Sequence, residues 1–175
     1  MPNAIPGPGD ILRRELPNGI IALARENFDA GSVVVVGSFA GGAVFEPTQK
    51  AGLAGLTAEA LLRGTQNYPF GALHDTLESS GMSLDVDGGR YLASFSGKAL
   101  AEDLPRLLEL LGEVLRRPTF PKEHVELLKG EALTSLRYNL QNSRHMAGQV
   151  WRGLAYPAEH ILARDPDGQP ESIAA

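Results

Sequence analysis

Apolar residues change their spacing along this chain, and those changes limit what it can fold into. Before about residue 100 short runs and strict alternation predominate, as in Met82-Ser83-Leu84-Asp85-Val86-Asp87, with helical spacing at Phe70, Leu73 and Leu77. Beyond it Leu104, Leu107, Leu108, Leu111 and Leu115 recur at helical spacing and form one stripe. A period of two puts alternate side chains on opposite faces of a strand, whereas a period near 3.6 lines one side of a helix. Strands therefore come first and long helices after them, and each layer must cover the other's apolar side.

The punctuation between these segments sets the element order. Asp10 to Leu16 and Ile20 to Glu26 flank Pro17-Asn18-Gly19, and Asn-Gly between apolar runs predicts a hairpin. Ser32 to Phe39 holds the β-branched run Val33 to Val36, which predicts a strand buried on both faces, with a bulge or bend over Gly37 to Gly42. Helices are expected over 51–63 and 69–79, the second stopped by Gly81. The strand 82–87 turns at Gly88-Gly89 and returns over 90–96. Two long helices follow, at 101–116 and from Pro121 onward, the latter carrying Val125, Leu128, Leu136 and Leu140. A shorter one from Ser143 to Gly153 presents Met146, Val150 and Leu154. The expected fold class is α+β: two layers, a mainly antiparallel sheet with helices packed on one face.

Composition narrows the partners. The 175 residues suffice for one domain with a full core, and 43% hydrophobic against 21% charged is ordinary for a globular chain. With 16 basic and 21 acidic residues the net charge is −5 and no Lys/Arg run occurs, so no nucleic-acid partner is expected. There is no cysteine, which excludes disulfides and thiolate metal sites and is compatible with a cytoplasmic protein. Residues 1–9 are rich in Pro and Gly and read as a flexible lead lacking the pattern of a secretory signal. The longest apolar candidate, Ser32 to Phe45, is broken by glycines, so no membrane partner is expected.

The stretch Gly52-Leu-Ala-Gly-Leu-Thr-Ala-Glu-Ala-Leu-Leu-Arg-Gly-Thr65 carries the most chemical information. It resembles the active-site helix of the pitrilysin/insulinase family of zinc peptidases. That helix opens Gly-Leu-Ala-His, runs through an inverted His-x-x-Glu-His motif and closes near Gly-Thr. The likeness extends over residues 10–173, including the ending Tyr156-Pro157 … Gly168-Gln-Pro-Glu-Ser-Ile173. The opening and the close are present, but Gly55 and Glu59 stand at the two histidine positions and Ala58 at the catalytic glutamate. Helical geometry places 55, 58 and 59 toward one side. The family's third ligand, a glutamate on a later helix, falls at Ser135, one turn after Glu131. A catalytic zinc needs three protein ligands and an open water position. Glu59 with Glu131 would make two carboxylates without an imidazole, a poor set for hydrolytic zinc. All four catalytic positions, Gly55, Ala58, Glu59 and Ser135, are thus vacant or replaced, and no metal site is expected.

The resemblance implies a half of a metallopeptidase LuxS/MPP-like fold, with residues 10–160 as its N-terminal domain and 161–175 beginning a link to a second domain. It also implies that Ser83, Leu84, Asp85, Val86 and Asp87 form an edge strand that receives peptide as an added strand; a plain hairpin strand with one wet face explains the same residues. The function implied is a non-catalytic domain that binds or encloses peptide, or supports an active partner. Zinc would then belong only to that partner, an active homologue or a second domain of the same protein. The alternatives are a structural scaffold subunit, as among respiratory-chain core subunits, and a metalloendopeptidase with an unrecognised site. Other motifs carry less. The glycines after Val36 lack phosphate-loop spacing, no nucleophile elbow surrounds a serine, and His74, His124, His145 and His160 are dispersed. Tyr138, Trp151 and Tyr156 read as core or as an interface.

Overall fold

The computed structural model describes residues 7–174; the expected flexible lead lies outside the described residues over 1–6. The chain divides into two compact units, one running to Gly31 and the other from Ser32. The first unit is a hairpin of β1 (Leu12–Glu15) and β2 (Ile21–Ala24), paired antiparallel from Leu12↔Ala24 to Glu15↔Ile21. Gly19 takes φ 84° in its turn, where the Asn18 side chain accepts from the Ile20 amide, as the Asn-Gly signal requires.

The second unit contains β3 (Ser32–Ala40), α1 (Leu53–Leu61), α2 (Phe70–Ser79), β4 (Ser83–Gly88), β5 (Leu92–Leu100), α3 (Leu104–Arg116), α4 (Lys122–Asn139), α5 (Ser143–Ala155) and α6 (Pro170–Ala174). Its sheet is antiparallel with the order β3-β5-β4, so β4 is an edge strand. Helices cover one face only. Leu84, Val86, Ala93 and Ala99 point inward to Leu73, Leu77, Leu107, Leu110 and Val114, which are almost fully buried. Among the described residues no helix is long and apolar enough to cross a membrane.

Three expectations are corrected. The strand at Val33–Val36 is not buried on both faces: Val34 and Val36 are 63% and 72% exposed, because among the described residues no second layer covers the outer face of this antiparallel sheet. The bulge or bend expected over Gly37 to Gly42 is a bend: β3 runs straight through Gly37, where a Cβ would strike the Phe95 ring opposite. The bend comes at Gly42, with φ 104° against the carbonyl of Gly89. On α3 the buried stripe is Leu107, Leu110, Leu111 and Val114, whereas Leu108 is half exposed, so the inward face is turned from the expected one. Leu140, expected in the core with Leu128 and Leu136, is also exposed.

The Gly64-Thr65 pair works as a structural knot. Buried Thr65 accepts from the Tyr68 amide at 3.0 Å through its hydroxyl, and the Gly64 carbonyl accepts from the amide and hydroxyl of Thr119, each at 3.1 Å. Tyr68 then donates to Glu109 on α3, 3.2 Å away, and Arg106 lies over its ring while donating to the same carboxylate at 2.7 Å. The hydrogen bond from Arg106 holds Glu109 below its ordinary carboxyl value. A depressed folded-state value favours the fold above the unfolded carboxyl value, and the effect is lost as pH falls through the folded one. In an NMR titration Glu109 is expected to protonate below free glutamate, and Arg106→Ala to move it upward. Gly88 makes a second close approach: its missing Cβ leaves room for the main chain of Ala54 and Gly55. Gly88→Ala is expected to destabilise the protein by about 1–3 kcal/mol in urea unfolding.

Candidate functional site

Helix α1 begins at Gly52, whose φ of 92° no ordinary L-residue adopts cheaply and whose missing side chain leaves the helix without its own cap. Glu46 supplies one from a distance. Its two carboxylate oxygens accept from the amides of Ala54 at 2.5 Å and Gly52 at 3.2 Å. A negative group at the helix start also opposes the positive end of the helix dipole. No local motif announces Glu46; only the folded loop brings it there.

From this start α1 presents Gly52, Gly55, Leu56 and Glu59 to Glu131, Ala132, Ser135 and Leu136 of α4. Pro166, Asp167 and Ile173 close the third side of a cavity of about 320 Å³. The structure therefore brings together Gly55, Glu59 and Ser135, three of the four positions singled out by the resemblance, with Glu131 beside them. Ala58 is elsewhere, which corrects the single-face expectation. It is buried and lines a separate apolar cavity of about 230 Å³ between α1 and the sheet, with Phe39, Val86 and Ala93 among its walls. The physical reason is angular. At about 100° per residue, positions 58 and 59 fall on opposite sides of position 55, far enough apart to face different layers.

The donor set decides what the larger cavity can do. Glu59, Glu131 and Ser135 are exposed side chains with no imidazole or thiolate among them. Among the described residues no group of three His, Cys, Asp or Glu is placed to hold a metal ion. The residues present do not fit hydrolytic zinc, which needs three convergent protein ligands. The histidines are engaged elsewhere: His74 and His124 pack on the Phe70 ring, His145 pairs with Asp165 and His160 stacks on Tyr156.

Along β4, Ser83, Asp85 and Asp87 are exposed and Leu84 and Val86 buried. None of these side chains lines the Glu59 cavity; Val86 and Gly88 line the smaller one with Ala58. Residues 161–174, expected to open a link, are held against this site by contacts with no sequence signature. Arg90 donates to the carbonyls of Ile161 and Arg164, both at 2.9 Å. The Asp165 side chain is only 5% exposed and meets Gln149, His145 at 3.2 Å and Arg152 at 3.5 Å, all from α5. Ser172 donates to the Ala51 carbonyl, and Ile173 is the buried residue of α6.

If α1 and α4 face each other as described, Gly55→His, Glu59→His and Ser135→Glu together are expected to create a chelator-sensitive zinc site of micromolar affinity or better. Titration calorimetry on the folded triple variant checks this; no binding would mean that the helices do not converge at ligand distance.

Comparison with known proteins adds to this geometry. The sequence pattern of "Insulinase (Peptidase family M16)" matches residues 21–155. Subunit 1 of the human mitochondrial cytochrome b-c1 complex is 29% identical over 133 residues, 75% of this chain and 27% of that protein. The bovine subunit is 24% identical over 159 residues, 91% of this chain and 33% of that protein. The crystal structure of a peptidase M16 inactive domain from Pseudomonas fluorescens shares the fold, with a TM-score of 0.86 at 24% identity, covering 94% of this chain and 40% of that one. The chain thus spans a third or less of the curated relatives it matches.

Proposed function

Since the chain belongs to the insulinase family, peptidase family M16, we propose that it serves as a non-catalytic peptidase-like domain that holds extended peptide and supports an active partner. The observation that carries this reading is the cavity between α1 and α4. The two helices face each other there, yet they offer one carboxylate each where three convergent ligands are required. Hydrolysis, and any zinc it needs, then belongs to a partner subunit or to a second domain. A scaffold and a retained peptide cleft both preserve the capped helix start at Gly52 and the knot at Gly64-Thr65, because both residues hold the fold.

The edge strand separates these two roles. β4 closes one side of the sheet, and an unpaired strand edge can accept a peptide through main-chain hydrogen bonds alone. The scaffold reading draws support from the relatives named as subunits of the cytochrome b-c1 complex. A cytoplasmic setting accords with the absence of cysteine.

Two measurements test the proposal. A fluorescent extended peptide is expected to bind the purified chain without being cleaved. Methylating a peptide amide that pairs with β4 should weaken binding by about 1 kcal/mol, or roughly fivefold. Mixing the chain with an active homologue from the same source should yield a stable complex with raised peptidase activity. Binding without sensitivity to amide methylation removes the edge strand from the account. A stable complex with no peptide binding leaves the scaffold, and cleavage by the chain alone refutes the non-catalytic reading.

A further inference from the structure

Helix α5 has two opposite faces, and among the described residues only one has a partner. His145, Gln149 and Arg152, at positions i, i+4 and i+7, all reach Asp165 on the terminal segment. This grip fixes the helix's rotation and turns Ala147, Val150, Trp151 and Leu154 the other way, at i, i+3, i+4 and i+7. Val150 and Trp151 are each 61% exposed and Leu154 is 84% exposed. Trp151 is braced by the Tyr156 ring, edge-on at 6.0 Å. Nearby, at the end of α4, Tyr138 and Leu140 are exposed as well.

Along the chain flanking this stripe, charge is one-sided. From Ala132 to Ala158 there is no Asp or Glu, although the whole chain carries a net charge of −5. Arg152 is occupied by Asp165. Arg137 and Arg144 are exposed and take part in no ion pair among the described residues. We propose that the outer face of α5 is a docking surface for an amphipathic helix of a partner protein whose apolar stripe is bordered by Asp or Glu. The spacing is that of helix-on-helix anchoring, with a tryptophan as the central anchor. A second copy of the chain fits poorly, because it would bring the same unpaired arginines toward each other. An anionic membrane is drawn by clusters of about four to eight basic residues, more than the free arginines here.

The inference deepens the partner arm of the proposed function and rests on it, but the two fail separately. The mixing assay reads whole-protein association and activity, whereas this surface is read by a peptide and one fluorophore. Trp151 is the chain's sole tryptophan, so its emission reports the site directly. The probes are two synthetic helical peptides with leucines at i, i+3, i+4 and i+7, one bordered by Glu and one by Lys. The acidic peptide is expected to shift Trp151 emission to the blue, bind at least tenfold more tightly than the basic one, and weaken as salt rises. Arg137→Glu with Arg144→Glu should reverse that order; both side chains are exposed, and the salt dependence of the unaltered protein provides the same reading without any variant. Equal binding of the two peptides overturns the proposal. So does a blue shift produced only by anionic phospholipid vesicles, or one that grows with protein concentration alone.

Discussion

Small residues on the inner face of the sheet set the distance at which α1 and α3 can lie against it. Gly88 admits the main chain of α1, and Gly97 sits where a Cβ would press on both methyl groups of Leu107 and on the Ser83 carbonyl. Ala93 and Ala99 continue this shallow floor along β5. Because the floor is shallow, α1 touches backbone rather than side chains, and its start is held to the end of β4. Its facing toward α4 follows from that placement. The cavity holding Glu59 and Glu131 is thus a product of sheet packing, and it persists whether or not its walls can bind a metal.

That separation of frame from chemistry explains which residues keep the family pattern. Gly52 is needed for a left-handed turn into the helix, and Gly64 for its φ of 128° and its tie to Thr119. Gly55 and Ser135 have no comparable task. A Cβ at position 55 would meet nothing within 4 Å, and Ser135 is exposed. Positions that build the frame are constrained by backbone geometry, whereas positions 55 and 135 carry no such constraint.

Much of this order can be read from residue spacing alone. Alternation along Met82–Asp87 was enough to place β4 and assign its two faces, because one face of an antiparallel sheet meets the core and the other meets water. Asn18-Gly19 located its turn for the same kind of local reason. Val33–Val36 misled because β-branched residues suit strands wherever they lie, so the run specifies a strand but not its cover. On α3 six leucines and a valine crowd the helix, and only the position of the sheet decides that Leu110 and Val114 go inward while Leu108 does not. Counting along the chain brought Ser135 opposite Glu59, but the 40° and 60° offsets within one turn of α1 sent Ala58 to another layer. Glu46, Arg90 and Asp165 left no local trace, since each acts on a segment far away in sequence.

Arg90 stands at the tip between β4 and β5, and its guanidinium clasps two carbonyls near the end of the chain. A hairpin tip is ordinarily among the first places to fray, and so is a stretch of irregular loop. Tied together, each withholds the other's freedom: a protease that cut near Ile161 would also loosen the far corner of the sheet.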